Sequence, residues 1–316
     1  EIYTLSLHDA LPILVDKLPL GQASAALLLR RFRLNLPSYF LGQAMSKLIF
    51  EPTAKRQLDA LAANLPQSLL LTGSDGMGLL TAAKYVAGDA AAIIQPTDKD
   101  GNASASGSIK LDSILQLRQQ SRGRAAGRMV FIIDDADRMN HRAQNAFLKL
   151  LEEPAPQIHF ILTSHAPHLL LATILSRVER LRIRQISPEQ TQQFLRQLKI
   201  SDPQIEQQLL FLASGKPAAL ARLAKNPPEL EKIGQIVRDA QQFIRAAGYE
   251  RAVIAARYTD RSNALQFLSH CLTILSNNLR RNPSRELIRQ SEQIAETYQR
   301  IAANGNVRLQ LIALAV

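Results

Sequence analysis

The spacing of apolar residues along the chain predicts alternating strands and helices in its central part. Apolar runs at 68–72, 129–133 and 158–163 have the length and flanks of strands that are buried on both faces. Helical spacing of apolar residues follows such runs, and after 129–133 it comprises Ala143, Ala146, Phe147, Leu150 and Leu151. Residues 178–183 alternate apolar with charged side chains, as in a strand with one solvated face. The pattern predicts an α/β domain built on a parallel sheet.

From residue 187 onward the pattern is helical only. Ser187-Pro188-Glu189-Gln190 has the residue types of a capping box, and Asp202-Pro203 starts the next predicted helix. Gly215 is expected to end that helix, and Asn226-Pro227-Pro228 is interpreted as a linker. The predicted units are an α/β core at 45–186, a small helical lid at 187–228 and a helical domain at 229–316.

Composition narrows the class of protein. The 316 residues are 46% apolar and 21% charged, which suits two or three domains with their own cores and excludes general disorder. The net charge of +11 is spread out: residues 45–228 hold 22 basic and 16 acidic residues, and 229–316 hold 12 and 8. This excess fits a nucleic acid or an acidic partner, and it fits an ordinary solvated basic surface equally well.

Cysteine usage and hydropathy exclude further classes. The single cysteine, Cys271, excludes a disulfide within the chain and a zinc site with two thiolates. The absence of disulfides fits a reducing, cytoplasmic compartment, which is the location we expect. No apolar run has the length of a membrane span, so no membrane partner is expected.

Residues 1–44 are predicted to be a non-native leader. The first methionine is Met45, and EIYTLSLHDALPIL at the start resembles translated sequencing-adapter sequence. The basic residues follow the apolar run Leu27–Leu29, whereas in a secretory signal they precede it. A mitochondrial-type presequence remains the alternative.

A glycine-rich segment follows the first predicted strand. Gly73, Gly76 and Gly78 precede a helical pattern, and the outer two match the glycines of the phosphate-binding motif G-x-x-x-x-G-K-[ST]. Leu79 and Leu80 occupy the lysine and hydroxyl positions. Losing one charge-assisted hydrogen bond costs about 1.5–3 kcal/mol, so we expect ATP binding to be weak or absent. Taken alone, the segment also fits an ordinary glycine-rich turn.

Two carboxylates follow the strand at 129–133. In nucleotide hydrolases the first acid of such a pair holds the magnesium shell and the second, usually Glu, polarises the attacking water. Asp134 and Asp135 occupy these positions, and Asp135 is one methylene shorter than Glu. A simple cap on the following turn explains the two residues equally well.

Taken in order, these segments resemble the clamp-loader branch of the AAA+ ATPases. The resemblance is carried by the residues at 134–140, 144–154, 160–164 and 172–178. It covers roughly 49–225, is specific through 129–184 and is loose beyond 229. It implies an AAA+ P-loop core with a parallel sheet, a helical lid and an all-helical collar domain that holds subunits in a ring. Within the bacterial polymerase III clamp loader, the likeness is greatest to the subunit class that often keeps the fold with a degraded nucleotide site.

The resemblance also implies residue roles. Thr163 matches the sensor-1 position, and Arg177 of Ser176-Arg177-Val178 matches the arginine finger that reaches the ATP of a neighbouring subunit. Ala218 stands where the lid carries its sensor-2 arginine. The four-cysteine zinc module of related subunits is absent from 89–128, and His165 with His168 is interpreted as a loop feature. Neither zinc nor another metal is therefore expected.

The function implied is that of a largely silent scaffold within a DNA polymerase holoenzyme. Its partners would be gamma/tau-like ATPase subunits and a delta-like subunit, with the sliding clamp and primer-template DNA reached through the complex. The alternative is an active gamma/tau-like ATPase with an atypical P-loop. A stand-alone DNA-binding AAA+ protein is a third possibility, supported only by the charge.

Overall fold

A five-stranded parallel sheet forms the centre of the first domain. The computed structural model describes residues 49–88, 91–98, 101–104, 107–121, 128–153, 157–200 and 202–315, so the predicted leader lies outside the described residues. The sheet order is β2-β3-β4-β1-β5. The strands are β1 (Ser68–Thr72), β2 (Ala91–Ile94), β3 (Met129–Ile133), β4 (Ile158–Ser164) and β5 (Glu179–Arg182). The three apolar runs are β1, β3 and β4, as predicted, and β2 is an addition.

Helices cover both faces of this sheet, which explains why its central strands are mostly apolar. The helices of the core are α1 (Pro52–Ala63), α2 (Leu79–Ala87), α3 (Leu111–Ser121), α4 (His141–Glu152) and α5 (Ala172–Leu175). Side chains of α1 and α2 pack on one face. Those of α3, α4 and α5 pack on the other. The predicted fold class, an α/β core followed by helices, is confirmed.

Phe160 of β4 is the centre of the second of these layers. Its ring stacks on Phe131 of β3 at 6.0 Å between centroids and meets Phe147 of α4 edge-on at 5.3 Å. All three rings are fully buried. The aromatic contacts therefore fix α4 against the strands that precede and follow it.

The remainder of the described chain is helical. Its helices are α6 (Pro188–Gln197), α7 (Pro203–Ala213), α8 (Pro217–Lys225), α9 (Pro227–Arg245), α10 (Tyr249–Ala255), α11 (Arg261–Arg281), α12 (Arg285–Ala302) and α13 (Val307–Ala315). The capping box at Ser187 is present, with both reciprocal bonds to Gln190. Asp202 caps α7 through the backbone N–H of Gln204. No described helix combines the length and hydrophobicity that a membrane crossing requires.

The segment 226–228 is not the predicted linker. The side chain of Asn226 accepts a hydrogen bond from the backbone N–H of Glu229, and the two prolines form the first turn of α9. Proline suits this position because its missing N–H would have no helical partner there. Leu230 of α9 packs in the lid core, whereas Phe243 of the same helix packs in the C-terminal core. One continuous helix thus joins these two cores, and the proposed domain limits remain a prediction.

We expect Phe160→Ala to lower the free energy of unfolding by about 3–5 kcal/mol, because it leaves a cavity between three elements. Urea unfolding of the full chain measures the loss. Phe211→Ala is the matched control: Phe211 is 63% exposed, and its removal is expected to change stability by less than about 0.5 kcal/mol. Equal losses in the two variants would contradict the central role of Phe160.

Candidate functional site

The glycine-rich loop lies between β1 and α2, and Leu79 directly after it faces the protein core. Leu79 is 2% exposed and packs with Met77 in the core cluster beneath α2. Leu80 is partly buried against the same cluster. Gly76 and Gly78 both have φ of +84°, which glycine adopts without strain. The lysine position of a phosphate-binding loop is thus filled by a side chain that belongs to the core.

The loop is bonded directly to the lid. The carbonyl oxygen of Gly76 accepts hydrogen bonds from the backbone N–H groups of Ala218 and Ala219, at 3.0 and 3.1 Å, in the first turn of α8. Lys216, the N-cap of α8, provides no side-chain bond, so the loop carbonyl takes over the capping. A Cβ atom at position 76 would lie 2.7 Å from Cβ of Ala219. Ala218, at the expected sensor-2 position, therefore contributes a backbone bond to the loop.

The first turn of α2 has no such cap. Gly78 is its N-cap residue and offers no side chain, so the first N–H groups of α2 remain available to an anion. A magnesium nucleotide also requires a cation for its phosphates and a hydroxyl for its metal. Leu79 and Leu80 supply neither, so the side chains of this loop do not fit that ligand.

Thr163 lies between the two acids and is bonded to both. The Thr163 hydroxyl donates to Oδ1 of Asp134 at 2.7 Å and accepts from the backbone N–H of Asp135 at 2.9 Å. Oδ2 of Asp134 accepts from Nε2 of Gln95 at 3.1 Å. Thr163 is fully buried. Its hydroxyl thus ties the ends of β3 and β4 together and has no donor left for another group.

His165 connects the acids to the glycine loop, a role that was not predicted from its sequence context. Its Nδ1 lies 2.8 Å from the carbonyl oxygen of Gly73, so Nδ1 carries the proton and donates. Its Nε2 lies 3.5 Å from Oδ1 of Asp135. The one available clue was its position directly after β4, at the carboxyl edge of a parallel sheet where ligand-facing residues collect. His168 is exposed, and among the described residues no three His, Cys, Asp or Glu side chains are grouped as for a metal ion.

The ionised form of the Asp135 carboxyl group is electrostatically disfavoured. Burial, and then the neighbouring charge of Asp134, raise its pKa above the usual value, whereas His165 acts in the opposite direction. The backbone of Asp135 is also in the left-handed region, with φ of +49°. A raised pKa means that the folded chain binds this proton more tightly than the unfolded chain.

The described hydrogen bonds and ion pair of Arg177 involve neither the loop nor the two acids. Arg177 follows α5, and its guanidinium is bonded to the carbonyl of Thr173, to Ser176 and to Glu152. The side chain is 38% exposed. Val178 stands where the Ser-Arg-Cys segment of the resembled family has its cysteine. It is buried in the same core cluster as Ile174. The arginine is therefore anchored by its neighbours while the next residue packs inward.

Comparison with known proteins places the central segment. Residues 89–187 match the family described as "DNA polymerase III, delta subunit". The DNA polymerase III subunit delta' of Pseudomonas aeruginosa is 35% identical over 124 residues, and that of Bacillus subtilis is 29% identical over 133 residues. The resemblance to delta-prime clamp-loader subunits is confirmed over this segment. The subunit class that the segments at 129–184 resemble is therefore delta-prime.

These matches cover part of each protein. The Pseudomonas match takes in 38% of this chain and 36% of the relative, and the Bacillus match takes in 42% and 40%. A solved gamma subunit-related protein of DNA polymerase III from Thermotoga maritima is 18% identical, with a TM-score of 0.47 over 82% of this chain and 97% of its own. The fold assignment rests on the sheet order and layers described above, and the activity and partners of the delta-prime-like chain are proposals.

We expect Gly76→Ala to destabilise the chain more than Gly88→Ala, by roughly 1–3 kcal/mol, the usual cost of overpacking. Both glycines have positive φ, so both variants carry the same type of backbone strain. Only position 76 also has a neighbour too close for a Cβ atom, since nothing lies within 4 Å at position 88. Denaturant unfolding of the two variants measures the difference. Equal stability of the Gly76→Ala and Gly88→Ala variants would mean that the loop and α8 are not in close steric contact at position 76.

We expect Asp135→Asn to raise the free energy of unfolding at neutral pH by about 0.2–1 kcal/mol, the range for partly exposed charge pairs. Because the pKa of Asp135 is raised, its stabilising contribution is present at low pH and is lost as pH rises through that pKa. The gain from Asn should therefore shrink as the pH is lowered. Unfolding curves at several pH values test this, with exposed Asp75→Asn as the control. A gain that is absent at neutral pH would contradict it.

Proposed function

We propose that this delta-prime-like chain is a catalytically silent clamp-loader subunit that supplies Arg177 to the ATP site of a neighbouring ATPase subunit. Its neighbours would be gamma/tau-like ATPase subunits and a delta-like subunit. The assembled complex would load the sliding clamp onto primer-template DNA. The observation that carries the proposal is the burial of Leu79 at the lysine position, together with the partial exposure of Arg177, whose described hydrogen bonds and ion pair do not include the chain's own loop.

Several features of the site support the proposal that the chain does not hydrolyse ATP. The loop lacks a phosphate-binding cation, Ala218 offers only backbone to the loop, and the Thr163 hydroxyl is already used by Asp134 and Asp135. Asp135 has a shorter reach than the usual Glu, and it already lies beside His165. The missing cation affects phosphate binding, the alanine at position 218 gives the lid no charged side chain for a nucleotide, and the last two departures affect water activation.

The chemistry of arginine supports the role in trans. Its guanidinium is always charged, presents a rigid fork of donors and stabilises the negative charge that develops on a transferred phosphoryl group. Arg177 is partly exposed, and its described partners include none of the loop glycines and neither Asp134 nor Asp135. Its charge is therefore available to a site on another subunit.

Exposed apolar side chains support the collar assignment. Tyr249 and Val253 of α10 are exposed by 84% and 40%, and Leu309 and Ile312 of α13 by 65% and 39%. The two helices pack against each other. Large exposed apolar groups of this kind mark protein contacts, which fits a domain that holds subunits together.

One observation favours the alternative, an active gamma/tau-like ATPase. The uncapped first turn of α2 retains N–H donors for a phosphate group. Hydrolysis would still need a cation in place of the lysine. The stem of Lys216 lies beside Gly76. Burial, and then the charge of Lys216, lower the pKa of His270 in α11. The scaffold is therefore the better-supported function.

ATPase rates decide between the two functions. The chain from Met45, measured alone, is expected to show no turnover above background. Mixed with the ATPase subunit of the same clamp loader, it is expected to stimulate turnover. Turnover by the isolated chain would favour the active-ATPase alternative.

We expect Arg177→Ala to leave assembly intact and to lower turnover at the adjoining ATP site by about 10³-fold or more, the usual effect of an arginine finger. The total ATPase rate of the complex should fall by that site's share. Arg177→Lys should not restore it, because lysine lacks the planar fork. Arg196→Ala on the exposed face of α6 is the control. An unchanged rate in an assembled Arg177→Ala complex would refute the proposal.

A further inference from the structure

Arg177 is held by a carboxylate from a different element. Oε1 of Glu152, the last residue of α4, lies 3.1 Å from Nη2 of Arg177. Nη1 donates to the carbonyl of Thr173 at 3.0 Å and lies 3.4 Å from Oγ of Ser176. We propose that Glu152 is a positioning residue, which orients the Arg177 guanidinium for the neighbouring ATP site. This inference rests on the function proposed above for Arg177.

The frame behind this contact is rigid. The side chain of Asn140 caps the start of α4, and Gln144 in its second turn is buried. Nε2 of Gln144 donates to the carbonyls of Met139 and Leu169, and its Oε1 accepts from the backbone N–H of Leu171. Gln144 therefore fixes α4 to the segment that leads into α5. Glu152 and Arg177 extend from two elements whose separation is already set, as a preorganised pair requires.

The contact leaves part of the guanidinium free. Arginine has five N–H donors, and the bonds with Thr173, Ser176 and Glu152 involve only Nη1 and Nη2. The Nε–H group of Arg177 has no partner among the described residues. A carboxylate that served only to neutralise the arginine would be expected to bind it with both oxygens, through two parallel bonds. The single contact restricts the orientation of the arginine and keeps donors for an incoming anion.

A purely structural role for the pair is weakly supported. Both side chains are substantially exposed, at 38% for Arg177 and 50% for Glu152. Ion pairs with this exposure contribute little to folding. The pair can, however, limit the many rotamers of a long side chain before a partner arrives, which lowers the entropic cost of the catalytic contact.

The test uses the complex reconstituted with the ATPase subunit, and it compares Glu152→Ala, Glu152→Gln and Glu153→Ala. Glutamine keeps an oxygen acceptor at position 152 without the charge. Glu153 is the neighbouring exposed carboxylate, and it forms no ion pair with the described residues. The readouts are kcat and KM for ATP, with Arg177→Ala measured in parallel.

We expect Glu152→Ala to lower kcat to a value between those of the native and Arg177→Ala complexes, with KM for ATP unchanged. Glu152→Gln should stay within about twofold of native kcat because the accepting oxygen remains. Glu153→Ala should match the native complex. In the Arg177→Ala background, Glu152→Ala should have no further effect, since its only route of action is the arginine.

Failures of the two proposals are distinguishable. If Arg177→Ala lowers the rate and Glu152→Ala does not, the arginine role stands and the positioning role of Glu152 is refuted. A higher kcat in both Glu152 variants would show that the carboxylate competes with phosphate, and it too would refute positioning. If Arg177→Ala has no effect, the proposed function itself fails.

Discussion

The burial of Leu79 is the constraint on which the arrangement of this site depends. A lysine at that position could not enter the core without a large desolvation cost and would have to extend toward an anion. Leucine packs beneath α2 with Met77 and holds the loop without any ligand. The carbonyl of Gly76 is then free to cap α8. A loop with the shape of a phosphate-binding loop thereby connects the core to the lid through hydrogen bonds.

The connection between the core and the lid extends to the C-terminal helices. Lid helix α8 is followed directly by α9, because Asn226 both ends the first and caps the second. Leu230 packs with the lid, and Phe243 packs with α11 through Phe267. Sheet, loop, lid and C-terminal core are thus connected by packed contacts and by one uninterrupted helix. Such a connection suits the scaffold role proposed above.

Local residue types predicted the elements well and the contacts between them poorly. Apolar runs identify β1, β3 and β4 because strands buried on both faces consist mainly of apolar residues. Ser187 and Asp202 mark helix starts because their side chains satisfy free N–H groups. The linker prediction failed because prolines that interrupt a chain also begin helices. The bonds of His165 to Gly73 and of Ala218 to Gly76 join residues about 90 and 140 positions apart, so no local pattern could indicate them.

Helix α4 extends from the region of the two acids to Arg177, and its packing contacts determine its position. It begins at His141, shortly after Asp134 and Asp135, and it ends at Glu152 beside Arg177. In an ATPase such a helix could transmit the state of the nucleotide site to the arginine. Here Phe147 is locked against Phe160, and Gln144 is bonded to the segment before α5. The folded core of the chain therefore determines the position of Arg177, and the role in trans proposed for this residue requires no nucleotide bound to its own loop.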